Sequence, residues 1–222
     1  MDLQIHPTQD LRRRLKLFNH FGITKILDVG ANAGQYAQEN FKLGFKGHII
    51  SFEPLKNVYQ ELEKKVIKSR NWNSFNYALG DENKEIEINV SENTFSSSIL
   101  EILPSHVESA PNSKFIKKED IIVKKLDDIY EDLVEEKEVV LLKIDVQGFE
   151  KQVLEGAIES LKKIKGIQVE MSVEELYQGE MIFSEMISYL NEKGFSLHSL
   201  ENGFYNENTG KLLQVDGIFF RE

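Results

Sequence analysis

Apolar residues Leu11, Leu15, Phe18 and Phe21 recur at helical spacing behind a capping Thr8, so residues 8–21 read as an amphipathic helix. A short apolar strand is predicted at 25–29, then a helix at 34–43, a strand at 48–53, and a helix at 55–68 entered just after Pro54. Residues 73–79 read as a third strand, and Ile86, Ile88 and Val90 alternate with Glu87 and Asn89 as in a half-buried strand. Regularity lapses from 91 to 120, a stretch holding Pro104, Pro111, His106 and the run Ser96-Ser97-Ser98. A strand at 121–126 and a helix at 127–134 restore it. Val139 to Asp145 is almost wholly apolar, as suits a central parallel strand covered on both faces. Helix 149–162, strand 166–171, helix 180–193 and strand 195–200 follow, and a final strand at 211–220 closes a hairpin through Asn202-Gly203 and Thr209-Gly210.

Strands alternating with helices predict an open, mostly parallel sheet, and the terminal hairpin gives it one antiparallel strand. The expected fold is a Rossmann-like three-layer α/β sandwich with seven core strands, the arrangement of class I methyltransferases. One domain is expected over 1–222, with 1–22 as an N-terminal helical extension and 91–120 as a candidate acceptor-recognition insertion. Ligands of such sheets sit beyond the carboxyl ends of the strands, where Gly30, Glu53, Ala78 and Asp145 fall.

Composition narrows the classes. A chain of 222 residues with 41% hydrophobic and 29% charged residues is ordinary for one globular domain. Its 37 acids against 27 bases, a formal charge of −10, argue against a general nucleic-acid partner. With no cysteine, disulfides, thiolate metal sites and a cysteine nucleophile are excluded. Met1 to Pro7 lack a signal-peptide pattern and no apolar run is long enough to span a membrane, so a cytoplasmic location is expected.

The segment Asp28-Val-Gly-Ala-Asn-Ala-Gly34 turns sharply from strand to helix, and glycine lets backbone pass close under a ligand there. Glu53 ends the next strand at the spacing that places a carboxylate on a ribose diol. The dinucleotide pattern is broken, because Asn32 and Gln35 stand where small residues belong. Asp28 beside the turn would oppose a pyrophosphate yet suits S-adenosylmethionine (SAM), which carries an ammonium and a sulfonium. SAM is therefore preferred over NAD. The plainer alternative makes Asp28 and Glu53 strand-end acids facing water.

The run Leu142-Lys-Ile-Asp-Val-Gln-Gly-Phe-Glu150, followed by Val153-Leu-Glu-Gly-Ala157, resembles the hallmark of FkbM-type SAM-dependent methyltransferases. Phe52-Glu-Pro54, Asn76-Tyr-Ala-Leu-Gly-Asp81 and Lys125-Leu-Asp127 are similar to that family in the same order, over about residues 24 to 171. The resemblance implies an O-methyltransferase acting on a hydroxyl of a sugar, glycan or secondary metabolite. Nucleic-acid methyltransferases are the rival reading. They are disfavoured by the lack of cysteine and by Asp145-Val-Gln-Gly where an Asp/Asn-Pro-Pro-aromatic motif would stand. A non-catalytic SAM-binding domain is the alternative outside enzymes.

A sugar hydroxyl is a weak nucleophile, so a base within hydrogen-bond reach is expected. Asp145, ending the central strand, is the first candidate; holding the SAM ammonium is its other role. Glu170 ends the next strand and could bind the acceptor or share Mg²⁺ with Asp145, unless the two acids are merely solvated or salt-bridged. His106 is a further candidate base, against a solvated loop histidine. The expected cofactor residues are Asp28, Gly30, Asn32, Gly34, Tyr36, Glu53, Asn76, Ala78 and Asp145. Tyr36 would close over the methionine moiety, and Asn76 and Ala78 would read the adenine edge. Ser96 to Ser98 would line the acceptor pocket. Trp72 and His198 read as structural, and His6, His20 and His48 lie in no motif.

Overall fold

The protein is described by a computed structural model covering residues 8–222; the reading of the first seven residues, and His6, lie outside the described part. Helix α1, Gln9–His20, is capped by Thr8, whose hydroxyl accepts from the Leu11 N–H at 3.3 Å. Then come β1 (Lys25–Val29), α2 (Gln35–Leu43), β2 (His48–Phe52), α3 (Lys56–Val66) and β3 (Trp72–Phe75). The middle of the chain carries β4 (Ala78–Leu79), β5 (Lys84–Ser91), α4 (Pro104–Ser109), β6 (Phe115–Lys124) and α5 (Leu126–Leu133). It closes with β7 (Val140–Ile144), α6 (Glu150–Glu155), β8 (Gly166–Ser172), α7 (Phe183–Glu192), β9 (Ser196–Asn202) and β10 (Gln214–Phe220).

The main sheet has seven strands in the order β3-β2-β1-β7-β8-β10-β9, with β10 antiparallel to both neighbours and the other pairings parallel. Strands β1 and β7 are buried at every position, which is why they read as mainly apolar runs, interrupted by Lys25 and Asp28 in β1 and by Lys143 in β7. One face packs Leu27, Phe52, Ile144 and Val169 into a core with Val153, Met186 and Leu190 of α6 and α7. The other packs Ile26, Ile49, Leu141 and Ile218 against Phe18 of α1, Ala37 of α2 and Leu62 of α3. Each such side chain contributes about 1.5–3 kcal/mol on burial.

Three expectations need correction. The strand expected over 73–79 divides: β3 stays in the main sheet, whereas β4 joins a separate three-stranded sheet, β4-β6-β5. Asn76 stands at the break, its Nδ2 donating to the carbonyls of Glu53 and Pro54 at 2.9 Å each. The stretch 91–120 is not irregular throughout, since it holds α4, a 3-10 turn at 111–113 and the first half of β6. The consecutive charges Lys117-Lys118-Glu119-Asp120 mask the strand alternation there. The helix expected over 149–162 stops at Glu155 with Gly156 as its C-cap, a position where a Cβ would lie 1.8 Å from the Gly80 carbonyl oxygen.

Candidate active site

The carboxyl ends of β1, β2, β7 and β8 meet at a cavity of about 220 Å³. Gly30, Asn32, Glu53, Ala78, Asp145 and Glu170 line it. At its base, Gly30 (φ +75°) lies so near β7 that a Cβ would sit 1.8 Å from the Asp145 carbonyl oxygen. No other residue type fits that approach. Glu53 fastens the turn: Oε2 accepts from the Asn32 N–H at 2.9 Å and Oε1 from the Leu55 N–H at 2.8 Å. Burial pushes its carboxyl up to about 7, against the pull of those two backbone donors.

The loop after β7 explains the residue pattern found there. Gln147 (φ 59°) and Gly148 (φ 94°) both take left-handed conformations, and Glu150 Oε1 steadies them by accepting from the N–H groups of Val146 (2.9 Å) and Gly148 (3.3 Å). A Cβ at Gly148 would lie 2.7 Å from that of Tyr177. So held, Gln147 sends one amide nitrogen to two acids, Asp145 Oδ1 at 2.8 Å and Glu170 Oε2 at 2.7 Å. Tyr177 donates to Gln147 Oε1 at 2.8 Å, which fixes the amide's orientation, and Gln214 Nε2 adds a donor to Glu170 at 2.8 Å.

Beneath this pair lies Lys143, buried in the otherwise apolar β7. Its Nζ stands 3.3 Å from Asp28 Oδ1, 3.4 Å from Asp145 Oδ2 and 3.3 Å from the Gly30 carbonyl. Burial pulls the ammonium down, but Asp145 and Asp28 outweigh that and hold it above its ordinary value. Burial, with Asp145 and Asp216 beside it, raises Glu170 well above the usual carboxylate range. Asp216, opposite Glu170 in the β8–β10 register, is pushed up to about 6 by burial and then by Asp145. The acids outnumber the one cation among them, so the floor favours a positively charged ligand.

The structure separates the expected residues. Gly30, Asn32, Glu53, Ala78, Asp145 and Glu170 reach the cavity, whereas Asp28, Gly34, Tyr36, Asn76 and His106 do not line it. Asp28 is fully buried under the turn, accepting from Ser51 Oγ at 2.9 Å and paired with Lys143, so it serves the scaffold. Tyr36 donates to Gln168 at 2.7 Å, and its ring lies between Arg14 and Lys143 at 5.0 and 5.3 Å. Gly34 packs on Trp72, itself buried with its indole N–H on Ser51. His106 is not a solvated loop residue: it is buried against Tyr177 and Phe204, and burial lowers it to about 4.

Of the serine run, Ser97 lines the cavity; Ser98 donates to the Gln147 carbonyl at 2.5 Å, and Ser96 is buried beside Asn93. His198 is packed edge-on to Phe21 and Phe220, as a structural residue, and His48 contacts Asn73 at 2.6 Å. The Mg²⁺ reading finds no support. The Gln147 amide nitrogen, a donor, already bridges Asp145 and Glu170, and no group of three acidic or imidazole ligands able to hold a metal occurs among the described residues. Sequence reasoning missed Gln147, Tyr177, Lys143, Gln214 and Asp216. Lys143 carried a visible signal, a lysine inside an apolar central strand, and Gln147 lay with it inside the hallmark run 142–150 without its role being readable.

The cavity fits SAM in its donor set. Glu53 offers a buried carboxylate suited to a diol, Ala78, Leu79 and Phe149 offer apolar faces, and Asp145 and Glu170 offer negative charge. The strand order, with reversed β10 inserted between β8 and β9, places the fold among the class I methyltransferases.

Known proteins narrow this. A family model described as the Methyltransferase FkbM domain matches residues 28–197. The 2-O-methyltransferase NoeI of Sinorhizobium fredii (strain NBRC 101917 / NGR234) is 26% identical over 171 residues, which is 74% of this chain and 70% of NoeI. Among solved structures, methyltransferase FkbM from Methylobacillus flagellatus KT matches 89% of this chain with a TM-score of 0.54 and 14% identity. The chain spans 43% of that protein's length. Magnesium protoporphyrin IX methyltransferase (ChlM) from Synechocystis PCC 6803, solved with bound SAM, matches 96% of this chain and 79% of its own at a TM-score of 0.50 and 9% identity. The chain belongs to the FkbM family of SAM-dependent methyltransferases. No helix among the described residues is long and apolar enough to cross a membrane.

Proposed function

We propose that the protein transfers a methyl group from SAM to a hydroxyl of a sugar, glycan or secondary metabolite. The observation that carries this reading is the Asp145–Glu170 pair, two carboxylates on one cavity wall sharing a single amide donor. NoeI, a 2-O-methyltransferase by name, supports oxygen as the target atom.

SAM, when bound, supplies an electrophilic methyl group on a positively charged sulfur. Glu53 would hold its ribose, while Gly30, Asn32 and Ala78 offer backbone close to the ligand. The carboxylate pair receives the hydroxyl proton. Glu170, raised well above the usual carboxylate range by burial and by Asp145, holds a proton more tightly than an ordinary carboxylate, and a positioned base contributes about 10²–10⁴-fold. Gln147 keeps the two acids in register, and Tyr177 keeps Gln147 in place. The residues of 91–120 that reach the cavity, Thr94, Phe95, Ser97 and Ile99, stand where an acceptor would be selected.

The test is release of S-adenosylhomocysteine from SAM on a panel of sugars and hydroxylated metabolites. Turnover with at least one hydroxyl acceptor is expected. Turnover confined to amine or nucleic-acid acceptors would contradict the reading.

A further inference from the structure

We infer that a second groove beside the cavity binds the distal rings of a saccharide acceptor of two or more units, an inference that rests on the hydroxyl-directed reading above. The groove encloses about 520 Å³ between residues 109–112, which follow α4, and residues 203–207, which follow β9. Asn206 Nδ2 donates to Ser109 Oγ at 2.8 Å and ties the two walls together. His106, buried behind them, supports Phe204 with ring centroids 5.4 Å apart.

Groove and cavity are lined by consecutive residues of one loop. Asn93 lines the groove, and the next two residues, Thr94 and Phe95, line the cavity. The loop is held by the Asn93 N–H on the Asn112 carbonyl at 3.0 Å and by a left-handed Thr94 (φ 61°). Two residues of chain span at most about 7 Å, a distance that adjoining sugar rings cover.

The surface chemistry selects the ligand class. Among the described residues, the large apolar side chains left exposed include two aromatics: Phe95, 60% exposed at the cavity, and Tyr205, 52% exposed in the groove. Exposed aromatic faces bordered by polar groups suit the apolar face of a pyranose, and Tyr205 pairs across a bridge with the exposed Leu212. Asn112 and Glu207, both exposed, supply amide and carboxylate partners for hydroxyls. Glu207 and the overall charge of −10 oppose a phosphorylated or nucleic-acid ligand.

The experiment is binding of the fluorescently labelled full chain, saturated with S-adenosylhomocysteine, to a printed array carrying neutral mono-, di- and oligosaccharides. Retention by saccharides of two or more rings is expected, with at least a tenfold weaker signal for Tyr205→Ala and for Asn112→Ala. Ile67→Ala, at an exposed position on the end of α3, should bind as the parent does. Calorimetric affinity for S-adenosylhomocysteine should stay within threefold in all three variants. Equal binding of oligosaccharides by Tyr205→Ala, or no retention of any saccharide, would overturn the groove assignment. If the parent turns over a simple hydroxyl acceptor yet retains no oligosaccharide, the groove fails and the reaction stands. If it retains an oligosaccharide that it never methylates while methylating only amines, the reaction reading fails and the groove stands.

Discussion

Asp145 and Glu170 accept hydrogen bonds from the same nitrogen, Gln147 Nε2, at 2.8 and 2.7 Å. Two carboxylates that close disfavour double ionisation, so a shared donor between them sets both their spacing and their proton affinity. Replacing Gln147 with Leu removes that donor and keeps the size. Turnover is expected to fall roughly tenfold or more with misalignment of the pair. The pH–rate profile should shift as well, while SAM affinity changes by less than about threefold (~0.7 kcal/mol). Tyr177→Phe should shift the profile in the same direction by a smaller amount. An unmoved pH profile in both variants would remove Gln147 from any role in tuning the acids.

Lys143 lies beneath the turn, close to both Asp28 and Asp145. Lys143→Met leaves buried acid without its partner. A stability loss of about 3–5 kcal/mol is expected from denaturant unfolding. A loss under about 1 kcal/mol would show that the acids relax by taking up protons without structural consequence.

Acidic pH should stabilise the protein with no ligand added. Glu53 and Glu150 are raised from 4.5 to about 7, and Asp216 from 3.8 to about 6, each chiefly by burial. The folded state then binds more protons than the unfolded one between the two values. Stability contributed by these groups is full below about 4 and is lost as pH rises through 6 to 7. Glu170 acts in the same direction. His106, lowered from 6.5 to about 4, works the opposite way, gaining stability over that window. Four acids outweigh one imidazole, so the melting temperature should be higher at pH 5.5 than at pH 7.5. A melting temperature that rises over this interval would contradict the burial of these acids.

Much of this site was legible in the sequence, for reasons that differ by residue. Gly30, Glu53 and Asp145 sit at strand ends whose apolar runs are unmistakable, so their convergence follows from the sheet alone. Asp28 was expected at the ligand from its charge beside the turn, but its side chain is spent on Ser51 and Lys143 beneath the turn, partners far off in the chain. The break between β3 and β4 leaves no mark on the pattern, since apolar residues (Trp72, Phe75, Tyr77, Ala78, Leu79) stand on both sides of it and only the Asn76 amide shows where the chain turns away. His106 is buried by Tyr177 and Phe204, partners some 70 and 98 residues distant that no local window reveals. The role of Gln147 was hidden for a similar reason: it stands in the hallmark run beside Asp145, but its second acceptor, Glu170, and its anchor, Tyr177, lie 23 and 30 residues further on.

Glu53 serves two purposes, fastening the Asn32 turn and facing the cavity, and the two can be separated. Glu53→Gln keeps one acceptor for the backbone and removes the charge. SAM binding measured by calorimetry should weaken by about 1–3 kcal/mol, with NAD failing to bind either protein. Stabilisation by NAD but not by SAM would contradict the cofactor assignment.

The central claim is methyl transfer to oxygen with the hydroxyl proton taken by the Asp145–Glu170 pair. Its most direct test uses SAM labelled with ¹³C at the methyl group, a panel of saccharide and hydroxylated acceptors, and NMR of the product carbon. The parent protein should give a signal in the O-methyl region, and Asp145→Asn should cut its rate by about 10²-fold or more while SAM affinity stays nearly unchanged. A loss of SAM affinity with the rate restored by excess SAM would assign Asp145 to the cofactor's ammonium instead. A product signal in the N-methyl region, or an unchanged rate and affinity in Asp145→Asn, would contradict the account.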